Sequence, residues 1–263
     1  MLFSGAARAV SGSLHVVHCG GRVWMVDCGL YQGRQEDMYT CNAHIPVPVT
    51  TLAGVFLSHA HVDHSGRLPR LVRRGFDGPI YATAETIELC ELLLHDSAYV
   101  LEVQTAAINR RRARRGLPPF DTLFDESDVA RTLDLMRPVT WDEPITLSPG
   151  CEAIFRTAGH ILGASQILLR EKGGRDTVTL AFSGDLGRHD DWILPDPAPL
   201  DDDVDFAIVE STYGDQTHRP YAYARSAFRD ALADTLTQGG VVVTPAFSVG
   251  RTQRMLYELF ALM

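Results

Sequence analysis

Gly54-Val55-Phe56-Leu57-Ser58-His59-Ala60-His61-Val62-Asp63-His64-Ser65 is the stretch on which the reading of this chain turns. Residues 54–57 form an apolar run of the kind that ends a buried strand. Directly behind them, three histidines and one aspartate fall within six residues. Core packing gives no reason to crowd ionisable groups there. Neutral imidazole and carboxylate are ligands that suit zinc, and a segment this rich in them can serve two adjacent ions. The bland alternative is a chance polar loop, and the ligand density argues against it.

Four other segments share this form, an apolar strand ending in a polar group. Val26-Asp27-Cys28-Gly29 places Asp27 at a strand end. Ala158-Gly159-His160-Ile161-Leu162-Gly163 does so for His160, and Phe182-Ser183-Gly184-Asp185-Leu186-Gly187 for Asp185. Val209-Glu210-Ser211-Thr212-Tyr213-Gly214 does so for Glu210. In layered α/β proteins function collects at strand ends and on the loops that follow. Each segment alone is a common pattern; in one order, each with glycine nearby, they are specific.

The remaining patterning predicts strands at 14–19, 23–27, 55–58, 80–83, 152–157, 166–170, 177–183, 206–209 and 241–245. Gly20-Gly21 and Gly173-Gly174 read as hairpin turns. Helices are expected at 84–115, 125–136, 221–237 and from 252 to 263. In the first of these Leu89, Leu92, Leu93 and Leu101 recur at helical spacing. Asp125 or Ser127 caps the second. Strands with helices interspersed indicate a layered α/β protein.

The chain has 263 residues, 45% of them hydrophobic and 22% charged, enough to bury a sizeable core. No apolar run approaches the ~20 residues that span a bilayer. The start lacks the basic and apolar regions of a signal peptide, so no membrane association and a cytoplasmic setting are expected. Five cysteines without a C-x-x-C pair read as buried free thiols. The net charge of −9 excludes a generally basic nucleic-acid binder. Arg110, Arg111, Arg112, Arg114 and Arg115 nevertheless form one +5 block, leaving −14 for the rest of the chain. That block reads equally as a phosphate-binding patch or as a solvated helix end favoured by the helix dipole.

Taken in order, these motifs resemble the metallo-β-lactamase fold, and within it the β-CASP branch of RNA-processing nucleases. The resemblance runs from Val10-Ser11-Gly12-Ser13 through the strand-end motifs to Pro245-Ala246-Phe247-Ser248-Val249-Gly250-Arg251. Glu210-Ser211-Thr212-Tyr213-Gly214 and this last stretch point to the branch rather than to lactamases or glyoxalases. It implies an α/β protein, a four-layer αββα sandwich followed by the beginning of an inserted β-CASP domain. The expected domains are residues 1–213, lacking a C-terminal return segment, and 214–263, incomplete. It implies two Zn²⁺ ions, with His59, His61 and His160 on the first, Asp63 and His64 on the second and Asp185 bridging. Asp27 would orient the ligand loop, and Glu210 would match the acidic residue that opens the branch's motifs. Asp63, Asp185 and Glu210 would be the catalytic residues.

The implied activity is hydrolysis of a phosphodiester in single-stranded RNA, with a homodimer as the expected assembly. The sequence also departs from the branch: no histidine follows His218. One absent histidine motif would complete the second zinc site and another would assist Glu210 as proton donor. The chain therefore reads as a truncated, poorly active form with a weakened second site. Two other readings stand beside this one: a DNA-repair nuclease of the same fold and a non-catalytic scaffold paralogue. Intact ligands argue against the scaffold. An iron oxygen reductase would need a carboxylate where Ala60-His61 stands.

Overall fold

A computed structural model describes residues 1–33, 35–173, 176–200 and 204–262. It divides into two compact units, Met1–Val209 and Glu210–Met263.

The first unit holds two sheets. One is built in chain order from β1 (Leu2–Phe3), β2 (His15–Cys19), β3 (Arg22–Val26), β4 (Leu52–Phe56), β5 (Ile80–Thr83) and β6 (Met136–Val139). The β2–β3 hairpin turns on Gly20 and Gly21, whose φ values of 61° and 69° suit the left-handed pair of a tight turn. From β3 to β6 the strands run parallel. Their connections carry α1 (Gln35–Ala43), α2 (Val62–Ser65), α3 (Leu68–Arg73), α4 (Ala84–Ala113) and α5 (Glu126–Leu135). The second sheet contains β7 (Ile145–Ser148), β8 (Cys151–Thr157), β9 (Ser165–Gly173), β10 (Asp176–Phe182) and β11 (Phe206–Ile208). Its order is β11-β10-β9-β8-β7, antiparallel except where β11 joins β10. Gly173 ends β9 as a hairpin requires, while Gly174 lies outside the described residues.

The sheets pack face to face. Val17, Trp24, Val26 and Phe56 from the first meet Ala153, Phe155, Ile167 and Phe182 from the second in one buried cluster. Trp24 and Phe56 stack with centroids 5.0 Å apart. Helices flank this sandwich, with α4 against β5 and β6 and α5 against α3 and α4. On the second sheet Ile154, Leu168 and Ala181 are covered by Leu200 and Val204.

Strand direction brings the motif-bearing ends to one edge. Val26 pairs with Phe56, so Asp27 and Ser58 leave adjacent strands together. Thr157 pairs with Ser165, and Phe182 pairs with Ile167, so the loops holding His160 and Asp185 leave the second sheet side by side. Ser165 joins the two groups: its N and Oγ each donate to Ser58 O at 2.9 Å.

Several expectations need correction. In α4 the buried residues are Thr86, Cys90, Leu94 and Ala98, while of the leucines at helical spacing Leu89, Leu93 and Leu101 are half-buried and Leu92 is 69% exposed. A spacing of four follows the 3.6-residue repeat over three turns, and small residues let the helix sit close. Cys19 and Cys151 form a disulfide with Cα atoms 6.8 Å apart, although 132 residues separate them. They lie at the end of β2 and the start of β8, and the face-to-face packing puts those ends in contact. Cys28 and Cys90 are buried thiols as expected, whereas Cys41 is exposed. Asp125 is the α5 cap, accepting from the backbone of Ser127 and Asp128 while Asp128 accepts from Asp125 N.

The second unit holds α6 (Tyr221–Thr237) and α7 (Arg251–Leu262), tied by Tyr221 and Arg225, which both donate to the Glu258 carboxylate. Met263 of the expected last helix lies outside the described residues. The strand expected at 241–245 is absent; the segment is irregular and exposed. A strand needs a hydrogen-bonded neighbour, and this unit has none among the described residues.

Candidate metal centre

The histidine segment leaves β4 and winds into α2, a single turn. Backbone bonds fix its path: Cys28 N donates to His64 O at 2.7 Å, Leu30 N to Val62 O at 2.8 Å and Ser13 N to Asp63 O at 2.8 Å. Gly29 is required for this approach, since a Cβ there would overlap the Asp63 carbonyl. Gly187 has the same role between the other two loops, packed against the Gly159 carbonyl next to His160.

Four of the expected ligands converge. His59, His61, His160 and Asp185 each offer one ligand atom, all within 4.8 Å of one another. His61 Nδ1 lies 3.1 Å from His59 Nε2 and 3.3 Å from His160 Nε2. Asp185 Oδ2 lies 3.9 Å from His59 Nε2 and 3.6 Å from His160 Nε2. Ligands bound tetrahedrally to zinc at ~2.0–2.2 Å stand about 3.3–3.6 Å apart. The spacing and the three-imidazole, one-carboxylate chemistry therefore fit such an ion. Asp185 also faces the other way, with Oδ1 3.3 Å from His64 Nε2. Asp63 is half-buried in the first turn of α2, adjacent to His64.

Behind these ligands sits Asp27, buried and in the left-handed region at φ 59°. Its Oδ1 accepts from Ser58 N at 2.8 Å. Its Oδ2 accepts from Ser58 Oγ at 3.0 Å and Ser13 Oγ at 3.3 Å, and lies 2.7 Å from His64 Nδ1. A proton held on Nδ1 leaves Nε2 facing Asp185, which is how outer carboxylates orient ligating histidines. Ser58 also reaches His59 Nδ1 at 3.0 Å. The sequence reading passed over Ser58 and Ser13 as ligand-positioning groups. Their only sequence signal is position, Ser58 immediately before His59 and Ser13 in the Val10–Ser13 stretch.

Electrostatics follow from this packing. Burial, and then the imidazoles of His64, His61 and His160, hold His59 well below the ordinary histidine value. His59 is therefore held in the neutral form that a metal ligand requires. Burial also disfavours charge on His64, but the Asp27 and Asp185 carboxylates overcome it and raise His64 well above the ordinary value. Burial would raise Asp185, yet its hydrogen bond from His64 and the surrounding imidazoles bring it below the usual carboxylate range. His64 thus carries a proton between two carboxylates, one that an ion at Nε2 would displace.

Glu210 stands two residues past β11 at the first residue of the second unit. Its Oε2 accepts from Thr212 N at 3.4 Å.

A two-sheet α/β sandwich with a histidine–aspartate metal cluster at one sheet edge is the class this fold and site define. The chain belongs to the metallo-beta-lactamase superfamily, whose family model matches residues 8–236. It is 38% identical over 260 residues to a ribonuclease of Thermus thermophilus, covering 97% of this chain and 53% of that protein. It is 28% identical over 261 residues to a probable RNase of Methanocaldococcus jannaschii, covering 98% of this chain and 56% of the relative. The cleavage and polyadenylation specificity factor subunit 3-I of Arabidopsis thaliana is 28% identical over 260 residues, covering 97% of this chain and 34% of that subunit. The chain thus spans about half, or less, of the length of these curated relatives. No described helix is long and apolar enough to cross a membrane.

Proposed function

We propose that this protein is a zinc-dependent nuclease of the β-CASP branch that hydrolyses phosphodiester bonds in single-stranded RNA. The observation that carries the reading is the convergence of His59, His61, His160 and Asp185 within 4.8 Å, on a chain whose relatives include a ribonuclease, a probable RNase and a cleavage and polyadenylation specificity factor subunit. His59, His61 and His160 would hold one ion and Asp63 and His64 the other, with Asp185 offering one oxygen to each. When bound, two such ions supply a water of lowered pKa and offset charge on the phosphate oxygens.

The chain's own residues prepare that chemistry. Burial keeps His59 neutral. Asp27 fixes the His64 tautomer. The Ser58 hydroxyl ties His59, His64 and Asp27 into one network, so the ligands are held before any ion arrives. By the resemblance, Glu210 would serve as a proton-handling carboxylate. Among the described residues the second ion would have three donors, Asp63, His64 and Asp185, against four for the first. A cytoplasmic setting is part of this proposal.

The test is cleavage of labelled single-stranded RNA and DNA by the full-length protein, with and without chelator. RNA cleavage that chelator abolishes and His59→Ala eliminates is expected. Cleavage that resists chelator, or that acts on DNA alone, overturns the proposal.

A further inference from the structure

The arginine block at the end of α4 is not used by the metal centre. Its geometry separates one arginine from the other four. Arg112 is half-buried: its guanidinium carbon stands 3.9 Å from the Phe120 ring centroid, and its Nε donates to Pro118 O at 2.7 Å. Asn109 holds the same loop, donating to Phe120 O at 2.9 Å and accepting from Phe120 N at 2.8 Å. Tyr39 stacks on Phe120 with centroids 4.8 Å apart. The loop after α4 is thereby folded back against the helix end.

Arg110, Arg111, Arg114 and Arg115 are exposed. Arg110 and Arg111 lie in the last turn of α4, and Arg114 and Arg115 follow directly behind it. Four like charges within six residues repel one another unless something offsets them. The helix dipole offsets part. No carboxylate does: ion pairs among the described residues engage other arginines, such as Arg73, Arg131 and Arg170. Four guanidiniums thus stand together, without a carboxylate, on a chain whose net charge is −9.

We propose that this end of α4 is a docking surface for the phosphate backbone of single-stranded RNA, remote from the metal centre and engaging the same strand. The proposal rests on the RNA reading above. Guanidinium is the side-chain group best matched to phosphate oxygens. Position supplies the second argument. The start of α4 abuts the histidine loop, with Thr83 Oγ1 and Thr86 Oγ1 donating to Gly163 O at 2.8 and 2.9 Å. From there the 30-residue helix extends about 45 Å at 1.5 Å per residue. That is about 13 nucleotides at the stacked spacing of ~3.4 Å. A long strand can lie on both sites, and a short one cannot.

The experiment replaces Arg110, Arg111, Arg114 and Arg115 together by glutamine in the full-length protein. Binding of fluorescent single-stranded RNA of about 5 and about 30 nucleotides is measured against salt, the lengths being chosen to fall short of and exceed that span. For the long strand the log–log salt slope should fall by up to about 3, since each phosphate contact of a single strand contributes ~0.7. The short strand, which can occupy either site but not both, should lose less slope than the long one; zinc content and hydrolysis of a small p-nitrophenyl phosphodiester should be unchanged, and an unaltered unfolding midpoint shows that the variant folds. An unchanged slope for the long strand overturns the proposal, as does an equal loss for both lengths. Preference for duplex DNA or for an acidic protein overturns it as well. If the parent protein cleaves RNA and the variant keeps its slope, only this proposal falls. If the variant loses slope while neither protein cleaves, only the nuclease assignment falls.

Discussion

Asp27→Asn tests the site where its organisation is most concentrated. Asparagine has nearly the same shape and tolerates the left-handed φ of 59° at this position, so the backbone is left alone. What changes is one buried oxygen, Oδ2, which lies 2.7 Å from His64 Nδ1. A hydrogen bond to a charged partner contributes about 1.5–3 kcal/mol and a neutral one about 0.5–1.5, so the fold loses about 1–2 kcal/mol. The effect on the metal is larger in kind. An amide N–H facing Nδ1 forces the His64 proton onto Nε2, where it blocks the lone pair that faces Asp185. Loss of such an orienting partner lowers metal affinity about 10–100-fold.

Asp27→Ala should be worse for stability. It strands the buried Ser58 N–H, at about 1–3 kcal/mol, and puts a Cβ residue without a compensating side chain in the left-handed region, at about 1–2 more. Urea unfolding and chelator competition for zinc read the two effects separately. An Asn variant that binds zinc as tightly as the parent, or Asn and Ala variants of equal stability, would refute the reasoning.

Other predictions follow from single observations. Glu210→Gln should lower RNA cleavage by about 10²-fold, the lower end of what proton transfer contributes, with zinc content unchanged; an unaltered rate removes Glu210 from the reaction. Asp125→Ala should cost about 1 kcal/mol by removing the α5 cap, measured by urea unfolding. The Ser127 hydroxyl, foremost, holds the Asp125 carboxyl below its usual value, so its contribution is present above about pH 4 and lost as pH falls through the lowered value. A contribution that persists in acid would contradict this. Thiol titration in denaturant without reductant should find three free cysteines, Cys28, Cys41 and Cys90, and five would disprove the Cys19–Cys151 bond.

The α6 boundaries, 221–237, were legible in the sequence to the residue because periodicity and flanking breakers agreed. So was the β5 strand, 80–83. Which residues α4 buries was not, because the stripe Thr86, Cys90, Leu94 and Ala98 mixes small and polar side chains with a single leucine. The isolated apolar run 241–245 misled for the opposite reason: strand formation depends on a neighbour, which a local window does not contain. The disulfide was illegible because no spacing rule connects cysteines on two different sheets.

By itself, the sequence marked the candidate ligands, since ligand chemistry is a property of side-chain type and each strand-end motif is local, and the family resemblance grouped them. It also marked the arginine block while leaving its meaning open. Only the tertiary structure decided that His160 and Asp185 close on the histidine segment at ion-sized distances, because that depends on two sheets packing with their motif-bearing ends at one edge. The same packing put Asp185 between His59 and His64, gave Asp27 its hold on His64, and turned four arginines outward while locking the fifth against Phe120. Residue identity is written along the chain; distance, burial and charge environment arise only when segments far apart in it are brought into contact.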